Sequence, residues 1–143
     1  MATVEATITI TAPADKIFTY INERTNLPEI WPSLVEITDM KQLPDGGRSI
    51  RFVYKMAGIR LEGTGQDIEN KPDQRIVTKT GGAVESTQTW LFNSAGEKTE
   101  VTFKVDYTIP VPVLGKLGEA IIVKINQHEG NAILANLKAR MEN

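Results

Sequence analysis

Ile50-Arg51-Phe52-Val53-Tyr54-Lys55-Met56-Ala57-Gly58-Ile59-Arg60-Leu61-Glu62-Gly63-Thr64-Gly65 is the stretch on which the fold turns. A two-residue turn at Ala57-Gly58 pairs Met56 with Ile59, Tyr54 with Leu61, Phe52 with Gly63 and Ile50 with Gly65. Every apolar side chain of those pairs then falls on one face. Arg51, Lys55, Arg60, Glu62 and Thr64 fall on the other, where cross-strand charge pairing suits a wet surface. A slip of one residue would flip a whole strand, so this agreement fixes the hairpin and its buried face.

Outward from the hairpin, the chain from Leu34 to Ile109 repeats the pattern. Turn signals stand at Asp45-Gly46-Gly47, Ala57-Gly58, Lys71-Pro72-Asp73, Gly81-Gly82 and Ala95-Gly96, between segments rich in Val, Ile, Thr and aromatic residues. They divide this region into six strands of a meander. A turn at Ala95-Gly96 pairs Trp90 with Val101, Gln88 with Phe103 and Ser86 with Val105. Val84, Trp90 and Phe92 then share a face with Val101, Phe103, Val105 and Tyr107. At Gly81-Gly82 a two-residue and a three-residue loop are both open.

Before the meander, Val4, Ala6, Ile8 and Ile10 alternate with Glu5, Thr7, Thr9 and Thr11, a strand with one wet face. It should lie beside the last meander strand, making one antiparallel sheet of seven. Pro13 then suits the first helical position and Asp15 the positive helix end, with Ile17, Phe18 and Ile21 as the apolar stripe. Asn26 is placed to cap a second short helix carrying Leu27, Ile30 and Trp31, stopped by Pro32. After Pro110-Val111-Pro112 no proline follows, and a helix of about 28 residues, about 42 Å long, is expected. Its stripe is Leu114, Leu117, Ile121, Ile125, His128, Ala132 and Ala135, with Leu134, Leu137 and Met141 nearly opposite. Such a helix must lie across the sheet and bury different faces at its two ends.

Composition narrows the function. The 143 residues, 41% hydrophobic and 24% charged, fit one globular domain spanning 1–143. A net charge of −2 with interspersed signs shows no basic stripe, which argues against nucleic acid as a partner. The chain has no cysteine and one histidine, which leaves only scattered carboxylates for a metal; no metal or cofactor is expected. Its longest wholly aliphatic run, Ala120-Ile121-Ile122-Val123, is too short to span a bilayer, and Met1 to Pro13 lacks the basic start of a signal peptide. A cytoplasmic location is therefore expected.

The order of elements resembles the START-like, helix-grip superfamily, which includes polyketide cyclase/dehydrase-like and lipid-transport proteins (SRPBCC). The carrying residues are Ile10-Thr11-Ala12-Pro13-Ala14-Asp15-Lys16-Ile17-Phe18, Asn26-Leu27-Pro28-Glu29-Ile30-Trp31-Pro32-Ser33-Leu34, Leu114-Gly115-Lys116-Leu117 and Leu137-Lys138-Ala139-Arg140-Met141-Glu142. The resemblance covers essentially the whole chain. It implies an α+β fold: a curved seven-stranded antiparallel sheet around a long C-terminal helix, with two short helices after strand 1. It also implies an internal cavity for a small hydrophobic partner, lipid-like or aromatic. The superfamily's members are carriers, cyclases and chaperone activators, and none of its catalytic motifs is placed here.

The candidate cavity residues are Phe52, Tyr54, Leu61, Gln88, Trp90, Phe103 and Tyr107 from the sheet, and Leu117, Ile121, Ile125 and His128 from the helix. Tyr54, Gln88, Trp90 and Tyr107 would set polar tips in an apolar pocket, or else pack in an ordinary core with those tips satisfied. His128 is either a polar or acid–base group inside the cavity, or else a helical residue that is partly exposed or hydrogen-bonded to a strand side chain. A Ser86–His128 pair is conceivable, but no acid is placed to orient the imidazole. Trp31 with Pro32 caps the fold or forms the cavity rim. Gly63 and Gly65 bend their strand or leave room for a ligand. Three functions follow: a carrier or sensor of a small hydrophobic molecule, a cyclase/aromatase or dehydratase-type enzyme, and a protein-interaction module. The mostly apolar inner face favours the first.

Overall fold

The structure, a computed structural model, describes residues 2–143. Seven strands, β1 (Ala2–Ile10), β2 (Leu34–Gln42), β3 (Arg48–Met56), β4 (Ile59–Lys71), β5 (Arg75–Gly82), β6 (Ser86–Ala95) and β7 (Lys98–Tyr107), form one antiparallel sheet in the order β1-β7-β6-β5-β4-β3-β2. β1 closes on β7, with Val4 opposite Val105 and Ile8 opposite Val101. This is the α+β helix-grip architecture, with the terminal helix laid over the concave face.

The β3–β4 hairpin has the register that its pattern requires, from Met56 opposite Ile59 to Ile50 opposite Gly65. Ala57 and Gly58 both take positive φ, 51° and 81°, the geometry whose twist matches a two-residue hairpin. At the β6–β7 turn the sequence reading is corrected. The turn is Gly96-Glu97, so Trp90 lies opposite Phe103, Gln88 opposite Val105 and Ser86 opposite Tyr107. Moving the turn by one residue moves every pair by two, which leaves all the faces unchanged. Gly81 and Gly82 are not a hairpin turn: they continue β5 against β4, and the chain turns at residues 83–85. Gly63 has no room for a side chain, since a Cβ there would lie 2.7 Å from the Phe52 ring and 2.5 Å from the Gly81 carbonyl. Its role is this close approach and not an opening for a ligand.

Between β1 and β2 run α1 (Ala14–Asn22) and a 3₁₀ helix (Arg24–Glu29). Pro13 stands just before α1 in extended conformation, and Ile17, Phe18 and Ile21 are buried beneath it. Phe18 meets Phe92 edge-on at 5.8 Å. Asn26 does not cap a helix: it lies inside the 3₁₀ turn and its amide ties back to the Tyr20 carbonyl at 3.0 Å.

The C-terminal segment is two helices, α2 (Val111–Lys116) and α3 (Glu119–Met141). Leu117 and Gly118 are both extended, at ψ 153° and 155°, so the expected continuous helix is broken there. The break resets the helical phase, and the stripe drawn through Leu117 does not survive it. Along α3 the buried residues are Ile122, Gly130, Ile133, Leu134, Leu137 and Met141. The second half of the helix, with Leu134, Leu137 and Met141, joins Ile10, Ile17, Ile21 and Val101 in one tightly closed core.

Candidate functional site

Under the first half of α3 the core gives way to a cavity of about 90 Å³. The sheet supplies most of its wall. Alternation along β3, β6 and β7 turns Phe52, Tyr54, Gln88, Trp90, Phe103, Val105 and Tyr107 inward. Of the expected residues the cavity thus brings together Phe52, Tyr54, Gln88, Trp90, Phe103 and Tyr107. Leu61 is buried opposite Tyr54 but does not reach the cavity surface.

The helical half of the expected set lies elsewhere. Ile121 and Ile125 are 53% and 47% exposed, His128 is exposed, and Leu117 is half-buried in the link between α2 and α3. In their place Asn126, Glu129, Gly130 and Ile133 face the cavity. The reading is inverted for a physical reason. An apolar stripe marks the inner face of a helix where that face meets packed side chains. Here it meets an aromatic wall bearing hydroxyl and indole groups, and its polar residues turn in to satisfy them. Gly130 also lets the helix close on β1, since a Cβ there would come 2.7 Å from Val4 Cγ1.

Glu129 is the hub of this arrangement. Its Oε1 accepts from Trp31 Nε1 at 3.1 Å and from Tyr54 Oη, and its Oε2 accepts from the Ser33 amide at 3.1 Å and from Ser33 Oγ. Burial, followed by the Glu129 charge and this hydrogen bond, drives the Tyr54 phenol far above its ordinary value. Trp31 is therefore cavity wall as well as cap, and its ring meets Phe103 edge-on at 5.2 Å. Trp90 lies tilted against the same Phe103 at 4.4 Å. Asn126 Nδ2 donates to Tyr107 Oη at 2.7 Å. The Tyr107 phenol is raised, by burial first, against the opposing Asn126 bond.

At another part of the wall stands Arg24, from the 3₁₀ helix. Nη1 and Nη2 donate to the two oxygens of Asp67 at 2.8 and 2.7 Å, a bidentate pair almost wholly buried. Asp67 also accepts from Thr78 Oγ1 at 2.8 Å, the Arg48 amide at 2.9 Å and Asn70 Nδ2 at 3.2 Å. Burial pushes its carboxyl up. Arg24, by hydrogen bond and charge, with help from Thr78 and Arg48, outweighs that and holds it below the usual carboxylate range. Thr80 Oγ1 donates to the Val84 carbonyl at 2.9 Å and is hydrogen-bonded to Ser86 Oγ at 2.6 Å. Ser86 is thus bonded to Thr80, and His128 lies outside, so the Ser86–His128 pair is not assembled.

Sequence reasoning missed Glu129, Asn126, Arg24 and Asp67. The spacing Ile122, Asn126, Glu129, Ile133 is a helical stripe, but a mixed one, and only the sheet beneath it shows that it faces in. Nothing local marks Arg24 and Asp67 as partners across 43 positions. No group of three metal-ligating side chains occurs among the described residues.

A curved sheet gripping a terminal helix over an internal cavity defines the helix-grip class of ligand-binding folds. Within it the chain belongs to the family described as polyketide cyclase / dehydrase and lipid transport, whose model matches residues 1–142. Similar solved structures include a START superfamily protein from Mycobacterium smegmatis, at 15% identity over 99% of this chain and 98% of that one, with a TM-score of 0.83. Another is the ZhuI aromatase/cyclase from Streptomyces sp. R1128, at 19% identity over 96% and 94% of the two chains and a TM-score of 0.74. The Aha1 dimer from Colwellia psychrerythraea matches at 14% identity over 99% and 97%, with a TM-score of 0.70. At such identities the likeness is one of fold. No curated protein sequence matches the chain closely enough to count as a relative. No helix among the described residues is long and apolar enough to cross a membrane.

Proposed function

We propose that the chain takes up a small, mainly apolar molecule in this cavity and serves as its carrier or sensor. The observation that carries the reading is the wall itself: Trp31, Phe52, Trp90 and Phe103 with aliphatic neighbours, while Tyr54, Trp31 and Ser33 spend their polar atoms on Glu129. Apolar walls with a few fixed polar groups are how ligand pockets combine affinity with orientation. At about 90 Å³ the space is below the roughly 150 Å³ of a cavity that admits benzene. A single ring therefore has to spread the walls somewhat, and a longer lipid more so.

A cyclase- or dehydratase-type enzyme is the second reading, and one observation favours it. Tyr107 Oη accepts from Asn126 and retains its own proton to donate within the cavity. Against it, both cavity tyrosines are held in their protonated form, so neither is a base near neutral pH. The interaction-module reading draws no comparable support from the outer face of β3 and β4, where Arg51, Lys55, Arg60 and Glu62 are exposed and mixed in sign.

Native mass spectrometry of the purified protein, alone and with added indole, tests the carrier reading. A bound adduct that Val105→Phe removes by filling the wall supports it. Equal adducts in the two proteins would put the bound molecule outside the cavity.

A further inference from the structure

Resting on the cavity reading, the charges of the wall say what kind of molecule it takes. Among the described residues, Arg24 and Glu129 are the wall's only residues of permanently or ordinarily charged type. Arg24 is neutralised at once by Asp67, which engages both of its terminal nitrogens. Among the described residues Glu129 has no cation against it: its four partners are the neutral groups of Trp31, Ser33 and Tyr54. The site thus presents one carboxylate matched by neutral donors alone, on a wall that is otherwise mostly apolar. Two groups on the wall remain unspent. Arg24 Nε, though buried, has no acceptor among the described residues. The half-buried Gln88 amide likewise bonds to none of them, while Thr78, Thr80 and Ser86 beside it are all engaged.

We infer that the cavity selects a neutral molecule, an apolar body bearing a carbonyl-type acceptor met by Gln88 and Arg24, and that it rejects carboxylates. A free fatty or aromatic acid would bring a second negative charge towards Glu129 and find Arg24 already paired. The corresponding amide, ester or ketone keeps the acceptor and brings no charge.

Fluorine NMR titration of the whole protein with four one-ring probes tests this: fluorobenzene, 4-fluorobenzamide, 4-fluorobenzoate and 4-fluorobenzylammonium. The amide should bind at least tenfold more tightly than the benzoate. Any charged probe loses hydration on entry, so the decisive comparison is between the two ions: the ammonium should bind more tightly than the benzoate. In Glu129→Gln the gap between amide and benzoate should shrink several-fold. If that variant does not fold, the order of the two ions on the native protein still decides. Benzoate binding as tightly as the amide or the ammonium would overturn the charge selection and leave the cavity reading intact. Failure of fluorobenzene and the amide alike would overturn the cavity reading, and this inference with it.

Discussion

Arg24 and Asp67 show how much a buried pair depends on completeness. Asp67 receives five hydrogen bonds, two of them from Arg24. Removing one charge leaves the other buried and unpaired, which costs about 3–5 kcal/mol, whereas replacing both by apolar residues is often nearly neutral. Asp67→Asn and Arg24→Met should each lower the urea midpoint steeply, and Arg24→Met/Asp67→Leu should recover most of the loss. Equal loss in the double variant would show that the pair's other partners, Thr78, Arg48 and Asn70, carry the stability. The pair also sets the acid limit. The native carboxyl lies below its unfolded value, so its contribution is complete above about pH 4 and fades as pH falls through the native value. Asp67→Asn should therefore flatten the decline of stability with acid. None of this was legible from single residues, because what makes Asp67 special is its position in the fold and not its neighbours in sequence.

The strands and the terminal helix were legible to different degrees, for reasons that lie in their periods. A strand's side chains have only two faces to choose between, so the β6–β7 turn could be misplaced by one residue and the inward set of Trp90, Phe103 and Tyr107 still be right. A helix offers a continuum of faces. On α3 the apolar residues Ile121 and Ile125 point out while Asn126 and Glu129 point in. In the second half of α3, where the helix meets a packed core, Leu134, Leu137 and Met141 were read correctly. Two substitutions separate the faces. Ile121→Trp should leave uptake of a one-ring ligand unchanged in a folded protein, and Val105→Phe should weaken it at least tenfold by taking up the space. Both are readable by calorimetric titration with fluorobenzene. Loss of binding in Ile121→Trp would move the site to the outer side of α3. Gly130→Ala should destabilise by about 1–3 kcal/mol, since the added methyl overlaps Val4 at the helix–sheet contact. Thermal unfolding checks this.

For the molecule as a whole, the three tyrosines act in one direction. Tyr20 is pushed up to about 12, by burial first and then by its bond to Glu29, and Tyr54 and Tyr107 are also raised. Each favours the fold fully below its unfolded value of about 10, and loses that contribution as pH rises through its native value. Alkaline unfolding above about pH 10 should therefore be cooperative, with phenolate absorbance appearing together with loss of structure. Ionisation of all three in the folded protein would contradict those environments. The central claim, that the space between α3 and the sheet is the binding site, has a more direct test. Both tryptophans of the chain, Trp31 and Trp90, line the cavity, and its one histidine, His128, lies outside. Each gives a separate signal in a nitrogen–proton NMR spectrum. Titration with fluorobenzene should shift both indole N–H resonances in a saturable way and leave the His128 imidazole where it was. Movement of the imidazole with both indoles unmoved would place the ligand on the outer face of α3 and contradict the account.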